Sequence, residues 1–381
     1  MSEKKKKDPF YDLIMHNDLA QNRWPSIIEQ HKKSEEHISL MAQVMTKEIF
    51  DEYRNHKTAK AGWSIARAIN TGVCYPNSFV GCHAADRESY YDFAKLFHPV
   101  VEKYHAGFSM KKSKHITDLD VDKIGYDLTK KAKSKIISTR IRVARNLSFF
   151  PLNPGGTQGT RLQIMDLMER VFGTLEDELQ GNLFRHSTMS KRKTQELIDQ
   201  HFLFRGRDKM QAASGYHQFW PAGRGIFITK AEDFLLWLNE GDHLRIISME
   251  AGGDVRRVFK RLGLGIAAIE ESLKKLAKRE NVFMSDETLG MITCCPSNLG
   301  TAMRGSVHIL VPKLISKMGL DGIDKIARQM NCQARGSSGE HSKVVDRVDI
   351  SNWRRLGFCE YVLVEDMIKC VNKLSDMEDS I

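Results

Sequence analysis

With 381 residues, 41% of them hydrophobic and 28% charged, the chain reads as a globular protein of two domains, or one with a smaller attachment; no apolar run approaches a membrane span, so no membrane partner is expected. The formal net charge of +10 suits anionic ligands, but the basic runs at Lys4–Lys7, Lys111–Lys114 and Lys130–Lys135 carry no interleaved aromatics; they read as solvated tails and loops, and no nucleic-acid partner is expected. Seven cysteines without a CxxC pair, and a basic start with no apolar segment behind it, point to free thiols, no secretory leader and a cytoplasmic location.

In chain order, residues to about 110 read as mostly helical. The stretch Gly72–Gly81, GVCYPNSFVG, breaks that pattern and is expected to be a mobile loop. A Lys-, Asp- and Gly-rich section over 107–135 reads as a connection between domains. Strand-forming runs follow at Ser134–Val143, Gly225–Thr229, Phe234–Leu238, His243–Met249, Gly290–Cys294 and Gly305–Val311. Between and after them, helical spacing links Ile164, Met168, Val171 and Phe172, then Val255, Phe259, Leu262, Ile266, Ile269 and Leu273, and finally Val364, Met367, Ile368, Val371 and Leu374. Runs of strands interrupted by long helices predict an α+β sheet packed under helices.

The chemistry lies in scattered arginines, each inside a short polar motif. Arg140 and Arg142 stand in STRIR, Arg245 in NEGDHLR, Arg304 in CPSNLGTAMRGSVH and Arg335 in QARGSSGEH. Guanidinium groups bind phosphate bidentately, so a converging set predicts a polyphosphate cradle. No Walker or kinase Gly-rich loop is present, and a nucleotide must be held chiefly by side chains. Cys295 sits where fixed positive charge would favour its thiolate, with Cys294 as a buried structural neighbour. Gly300 and Thr301 would let backbone approach a ligand. Glu240, Asp242 and Glu340 are the acids placed to orient a guanidinium substrate or take its proton.

Together CPSNLGT, STRIR, NEGDHLRIISM and RGSSGEH resemble the phosphagen kinases, the ATP:guanidino phosphotransferases that include arginine, creatine and taurocyamine kinases. The likeness runs from about Lys47 to near the C-terminus and takes in HFLF, GRGI and DISN. It implies an α+β protein with a small all-helical N-terminal domain, about 20–110, and a larger catalytic domain, about 130–375, with an antiparallel sheet flanked by helices. The implied reaction is reversible transfer of the ATP γ-phosphoryl group to a guanidino acceptor, with ATP/ADP and Mg²⁺ as cofactors.

Carried over by motif, the nucleotide would meet Ser138, Thr139, Arg140, Ile141, Arg142, Arg245, Arg304, Gly305, Ser306, Val307, His308, Arg335, Gly336, Ser337, Ser338, Gly339 and Glu340. The implied catalytic set is Glu340, Glu240, Cys295, Arg245 and Arg304. Backbone amides of Ser78, Phe79 and Val80, with His83, Cys295 and Glu340, would hold the acceptor. Mg²⁺ would be held by phosphate oxygens and water without a protein ligand, Glu240 and Asp242 bonding those waters. The loop at Gly72–Gly81 and the turn at Arg335–Glu340 would close over substrate.

The short loop, Tyr104 and Glu340 resemble arginine kinases, which makes L-arginine the expected acceptor. Departures keep others open. His83 replaces a tyrosine, Phe79 a glycine, Gly241 a guanidinium-gripping carboxylate and Ile228 an adenine-stacking histidine. Ile228 would then pack against adenine apolarly. Taurocyamine or another acidic guanidine is the alternative acceptor, and a nucleotide-binding homologue with weak or no transfer is the alternative function.

Overall fold

The computed structural model describes residues 11–34, 38–204, 208–336 and 346–381. The expected roles of Ser337, Ser338, Gly339 and Glu340, and most of the turn that was to close over substrate, lie outside the described residues.

The described residues up to Tyr104 form mainly short helices, three of them started by hydroxyl caps. Ser39 Oγ accepts from Ala42 N at the start of helix Leu40–Val44, and Ser64 Oγ from Arg67 N at the start of helix Ile65–Cys74. Such a cap satisfies an amide that the helix itself leaves unpaired. Their apolar faces, with helix Ala94–Tyr104, bury Met41, Phe50, Ile69, Phe93, Leu96 and Phe97 completely. The expected loop at Gly72–Gly81 is shorter than predicted: Gly72, Val73 and Cys74 finish the helix. Gly72 donates to Gly81 O at 2.8 Å, and a Cβ on it would lie 2.5 Å from Met41 Cε, so this glycine lets the loop base fold onto the helix.

The rest of the chain builds one eight-stranded sheet. Its strands are β1 Ile136–Arg145, β2 Gly181–Arg185, β3 Gly225–Thr229, β4 Phe234–Leu238, β5 Leu244–Ala251, β8 Met303–Leu310, β9 Cys332–Gly336 and β10 Arg347–Asn352. A separate pair, β6 Ser285–Asp286 and β7 Gly290–Met291, lies between. The order is β2-β3-β4-β5-β1-β8-β10-β9, and every pairing is antiparallel.

One face of the sheet is the core. Ile141, Val143, Phe234, Leu236, Leu238, Leu244, Ile246, Val307, Ile309, Val348 and Ile350 pack under helices Gln158–Phe172, Val255–Ala277, Pro312–Arg328 and Glu360–Asp379. The periodic apolar residues predicted for three of these helices are the ones buried. Because strand side chains alternate, Arg140, Arg142, Trp237, Arg245, Arg304 and His308 stand on the other face.

Two expectations about segments change. Gly290–Cys294 is not a strand beyond Met291; Asp242 Oδ1 takes the Cys294 amide at 3.0 Å, leaving it no ladder partner. β2, β9 and β10 escaped the sequence reading because their charged residues mask the alternation.

The second region also completes the helical lobe. Leu289, Ile292, Cys294, Leu299 and Leu356 join the core of the first hundred residues. Tyr90 Oη donates to Thr293 O at 2.7 Å, and His105 Nε2 lies 2.9 Å from Pro296 O. Gly300 makes this contact possible. Its φ is +88°, and a Cβ there would lie 2.5 Å from Leu356 Cα. The close approach it permits is therefore to the chain's own backbone, not to a ligand. Gly300→Ala combines a left-handed backbone with a clash against fixed main chain. It should lower stability by about 3 kcal/mol, read as a lower denaturant midpoint. An unchanged midpoint would show that the Leu356 segment yields freely.

Candidate active site

Register alone gathers the predicted arginines. Arg142 lies opposite Arg304 across β1 and β8, and Arg140 opposite Ser306. On the other side of β1, Arg245 of β5 is level with Ala144, and Trp237 of β4 is level with Arg245. Farther along, His308 faces both Ser138 and Asp349, and Asp349 faces Arg335 on the edge strand. Arg142, Arg245 and Arg304 line a cavity of about 150 Å³ together with Val143, Ala144, Asn298, Ala302 and Arg355.

The side chains are held in place by uneven partnerships. Arg304 bonds Asp349 Oδ2. Arg245 pairs with Glu240 at 3.3 Å. The Trp237 ring carries the guanidiniums of Arg140 and Arg245 at 5.4 and 5.9 Å, and its Nε1 donates to Phe202 O at 2.7 Å. Cation–π contact of this kind orients a guanidinium without neutralising it. Nε of Arg140 and Nε of Arg304 are buried with no hydrogen-bond partner among the described residues.

Electrostatically this is a site short of anions. Burial, then the charges of Arg245 and Arg304, bring the Arg140 guanidinium down to about 10. Burial and the charges of Arg245, Arg140 and Arg304 push Arg142 well below the usual guanidinium range. Both remain cations at neutral pH. Desolvated like charges held side by side are relieved by a polyanion placed among them. His308 is held below its ordinary value first by burial, and its Nδ1 lies 3.3 Å from Ser138 Oγ.

Alternation divides the remaining predicted contacts. Ser306 shares the arginine face, whereas Ile141 and Val307 are core residues and a Cβ on Gly305 would point at Met367. Thr139 Oγ1 is spent on Gly252 O at 2.8 Å. Gly336 ends β9 opposite Val348. Ile228 does not offer a surface to adenine: it is buried among Leu197, Phe202, Leu235 and Trp237.

The acids behave differently from one another. Glu240 faces Arg245, and its Oε2 is buried without a hydrogen-bond partner among the described residues. Asp242 is turned inward: its Oδ1 accepts from Asn146 Nδ2 at 2.8 Å and from Cys294 N at 3.0 Å. It holds the Cys294–Cys295 segment rather than waters of a metal. Among the described residues no three or more His, Cys, Asp or Glu side chains are grouped to hold a metal ion.

At the acceptor end, Ser78 N and Oγ both donate to Tyr75 O, at 2.9 and 2.6 Å, so that amide is not offered to a ligand. Val80 is buried in the helical core, while Phe79 is 55% exposed and meets the edge of Tyr104 at 5.6 Å. His83 is buried, its Nδ1 3.1 Å from Thr71 Oγ1, and burial lowers it to about 4. Its ring meets Tyr216 edge-on at 5.1 Å.

Sequence reasoning missed Arg355, Asp349, Asn298 and Tyr216. Arg355 follows DISN by three residues, the second of an Arg-Arg pair, which looks like solvated charge; it is buried, with Nη1 on Ser297 O at 2.8 Å and Nε on Met303 O at 3.2 Å.

Comparison with known proteins shows which family the chain resembles. Residues 35–102 match the family model for the ATP:guanido phosphotransferase N-terminal domain, and residues 163–381 the one for its C-terminal catalytic domain. Arginine kinase 1 of Drosophila melanogaster is 38% identical over 344 residues, covering 90% of this chain and 94% of the relative. Arginine kinase of Limulus polyphemus is 40% identical over 349 residues, covering 89% and 92%. Among solved structures, a lombricine kinase superposes with a TM-score of 0.84 at 33% identity, covering 92% of this chain and 95% of that one. The duplicated taurocyamine kinase from Schistosoma mansoni with bound transition state analog components gives 0.84 at 31%, covering 96% of this chain and 49% of that one.

Cys295 departs from expectation. Burial pushes its thiol up, opposed by the Ser297 hydroxyl, 3.1 Å from Sγ, and by Arg355. Nearby cations are outweighed because they are turned to other partners. Alkylation of Cys295 in the free protein, followed by peptide mass mapping, should keep accelerating beyond about pH 9. A plateau by pH 8 would contradict the burial argument.

Proposed function

We propose that this chain, which belongs to the ATP:guanido phosphotransferase family and is a guanidino kinase, transfers the γ-phosphoryl group of ATP reversibly to a nitrogen of L-arginine. The observation that carries the reading is the convergence of Arg140, Arg142, Arg245 and Arg304 on one face of the sheet, with unsatisfied Nε groups and two carboxylates among them. Phosphoryl transfer asks for alignment and for neutralisation of the equatorial oxygens, with little covalent help. Rigid guanidiniums on paired strands supply both.

In this mechanism the triphosphate lies across β1, β5 and β8. Its oxygens take up Arg140 and Arg142, draw Arg304 from Asp349, and share Arg245 with Glu240. Ser138 and His308 offer hydrogen-bonding groups at the nucleoside end. Oε2 of Glu240, ion-paired with Arg245 at 3.3 Å but without a hydrogen bond among the described residues, would accept from a water of a Mg²⁺ carried in on the phosphates, and the ion when bound would neutralise phosphate charge. The acceptor guanidinium enters between Cys295 and Gly241, with Glu340 assigned by motif to orient it. Holding nitrogen and phosphorus in line contributes on the order of 7–11 kcal/mol. A cytoplasmic location, where thiols stay reduced, belongs to the same reading.

The likeness to arginine kinases supports L-arginine. Exposed Phe79 against Tyr104 favours a second acceptor of the acidic guanidine class, such as taurocyamine, whose tail would meet an aromatic wall.

A coupled assay of ADP release with a panel of free guanidines tests the proposal. Turnover should be greatest with L-arginine, and Arg304→Ala should cut kcat by about 100-fold while the fold is retained. ATP binding without phosphorylation of any guanidine, or an Arg304→Ala variant of normal rate, would end it.

A further inference from the structure

We infer that Tyr216 is a specificity-determining residue of the acceptor pocket, and that Gly241 is the position that makes room for its ring. The inference rests on the placement of the acceptor proposed above and deepens it.

The turn Asn239–Asp242 joins β4 to β5, and its side chains diverge. Asn239 Nδ2 donates to Gly223 O at 2.7 Å and to Arg161 O at 3.2 Å. Glu240 reaches Arg245 at the edge of the guanidinium cavity, and Asp242 turns inward onto Asn146 and Cys294. Position 241 faces Tyr216. A Cβ there would lie 3.3 Å from Cε2, 3.4 Å from Cδ2 and 3.9 Å from Cζ of the Tyr216 ring. Even that Cβ is tight, so the ring must give by a few tenths of an ångström to admit a side chain here.

The main chain that carries the ring is tied down. Tyr216 O accepts from Arg224 Nη2 at 2.6 Å and from Arg161 Nη2 at 3.5 Å, and Tyr216 N donates to Gln211 O at 3.0 Å. Those guanidiniums belong to buried arginines. On its other side the ring meets His83 edge-on at 5.1 Å, and His83 is itself fixed by Thr71 Oγ1 and by its amide on Ala68 O at 2.9 Å. Among the described residues nothing hydrogen-bonds the Tyr216 hydroxyl.

Position matters as much as rigidity. Gly241 O receives Cys294 Sγ at 3.4 Å, and Glu240 beside it marks the edge of the phosphate cavity. An acceptor nitrogen aligned with a γ-phosphorus must pass between the Cys295 segment and this turn. There it meets an aromatic ring, a neutral imidazole and a phenol hydroxyl instead of a second carboxylate. Such a wall recognises a flat cation by shape and ring electrostatics rather than by ion pairing. It suits a small monosubstituted guanidine.

The test is a double-mutant cycle of Gly241→Glu and Tyr216→Ala, with Tyr216→Phe beside it, read by Tm and by kcat and KM across free guanidines. Gly241→Glu alone should lower Tm by about 4 °C, through overpacking against the ring, and little of that loss should persist in the Tyr216→Ala background. It should lower kcat/KM by about tenfold, and the double variant should exceed either single one and reorder the preferred guanidines. Tyr216→Phe should keep Tm and the KM for ATP but raise the KM for the acceptor.

Additive effects, or a Gly241→Glu variant that gains activity without losing Tm, would overturn the inference. So would Tyr216→Phe and Tyr216→Ala variants that keep the wild-type order and KM of acceptors. A wild type that phosphorylates no guanidine would instead bring down the functional reading on which the inference stands.

Discussion

Like charges held together out of water are what the rest of this molecule is arranged to sustain. Arg140, Arg142, Arg245 and Arg304 crowd one face of the sheet, each depressed by burial or repelling its neighbours. Left to themselves such groups would splay into solvent. What prevents it is the opposite face, where Ile141, Val143, Val307 and Ile309 are locked under four long helices. A slip of one residue between β1 and β8 would exchange the faces and bury the guanidiniums among leucines and isoleucines, so the hydrophobic core fixes the cationic register. The partial relief visible in the structure, Glu240 on Arg245 and Asp349 on Arg304, is the kind a phosphate can replace.

The two lobes meet through that same arrangement. Asp242 follows Glu240 by two residues, yet it is part of the support for the helical lobe, since it holds Cys294 N while Cys294, Leu299 and Leu356 lie in that lobe's core. Asn146, just after β1, bonds both Asp242 and Ile292 O. The acceptor pocket proposed above would therefore not be a loop laid over a finished catalytic domain. Its walls, His83 from one side and Tyr216 and Cys295 from the other, are set by how the core closes.

How much of this was legible beforehand follows from what strands hide. The arginine motifs could be found because several polar residues cluster around each, and their convergence could be expected from phosphate chemistry. Which members of a run face the ligand could not be read from the motif, since Thr139 and Ile141 alternate with Arg140 and Arg142 and look equivalent in one dimension. β10 reads as RVDISN, where the residues on the ligand side, Asp349 and Ser351, disguise the buried Val348 and Ile350. Cys295 misled in the opposite way: charges near in sequence are directed elsewhere in space, and burial decides its thiol. Tyr216 carries no motif at all; only its approach to Gly241 marks it.

Hydrogen-bond accounting separates arginines that build the protein from those that await a ligand. Arg161 spends its Nη groups on Asn153, Gly156, Thr157, Gly215 and Tyr216 carbonyls, Arg224 on those of Tyr216, Gln218 and Ala222, and Arg145 on those of Ala144 and Thr301. Carbonyls suffice to bury these cations and tie down irregular backbone, here the 215–224 segment that carries Tyr216. Arg140 and Arg142, by contrast, find no hydrogen-bond partner for their guanidiniums among the described residues, and Arg304 has one carboxylate oxygen. Burial without partners is unfavourable unless something supplies acceptors, and two such groups beside a third with a single acceptor demand several at once, in a line, with negative charge. A triphosphate meets that demand, whereas a single carboxylate or an isolated phosphate would leave most of it unmet.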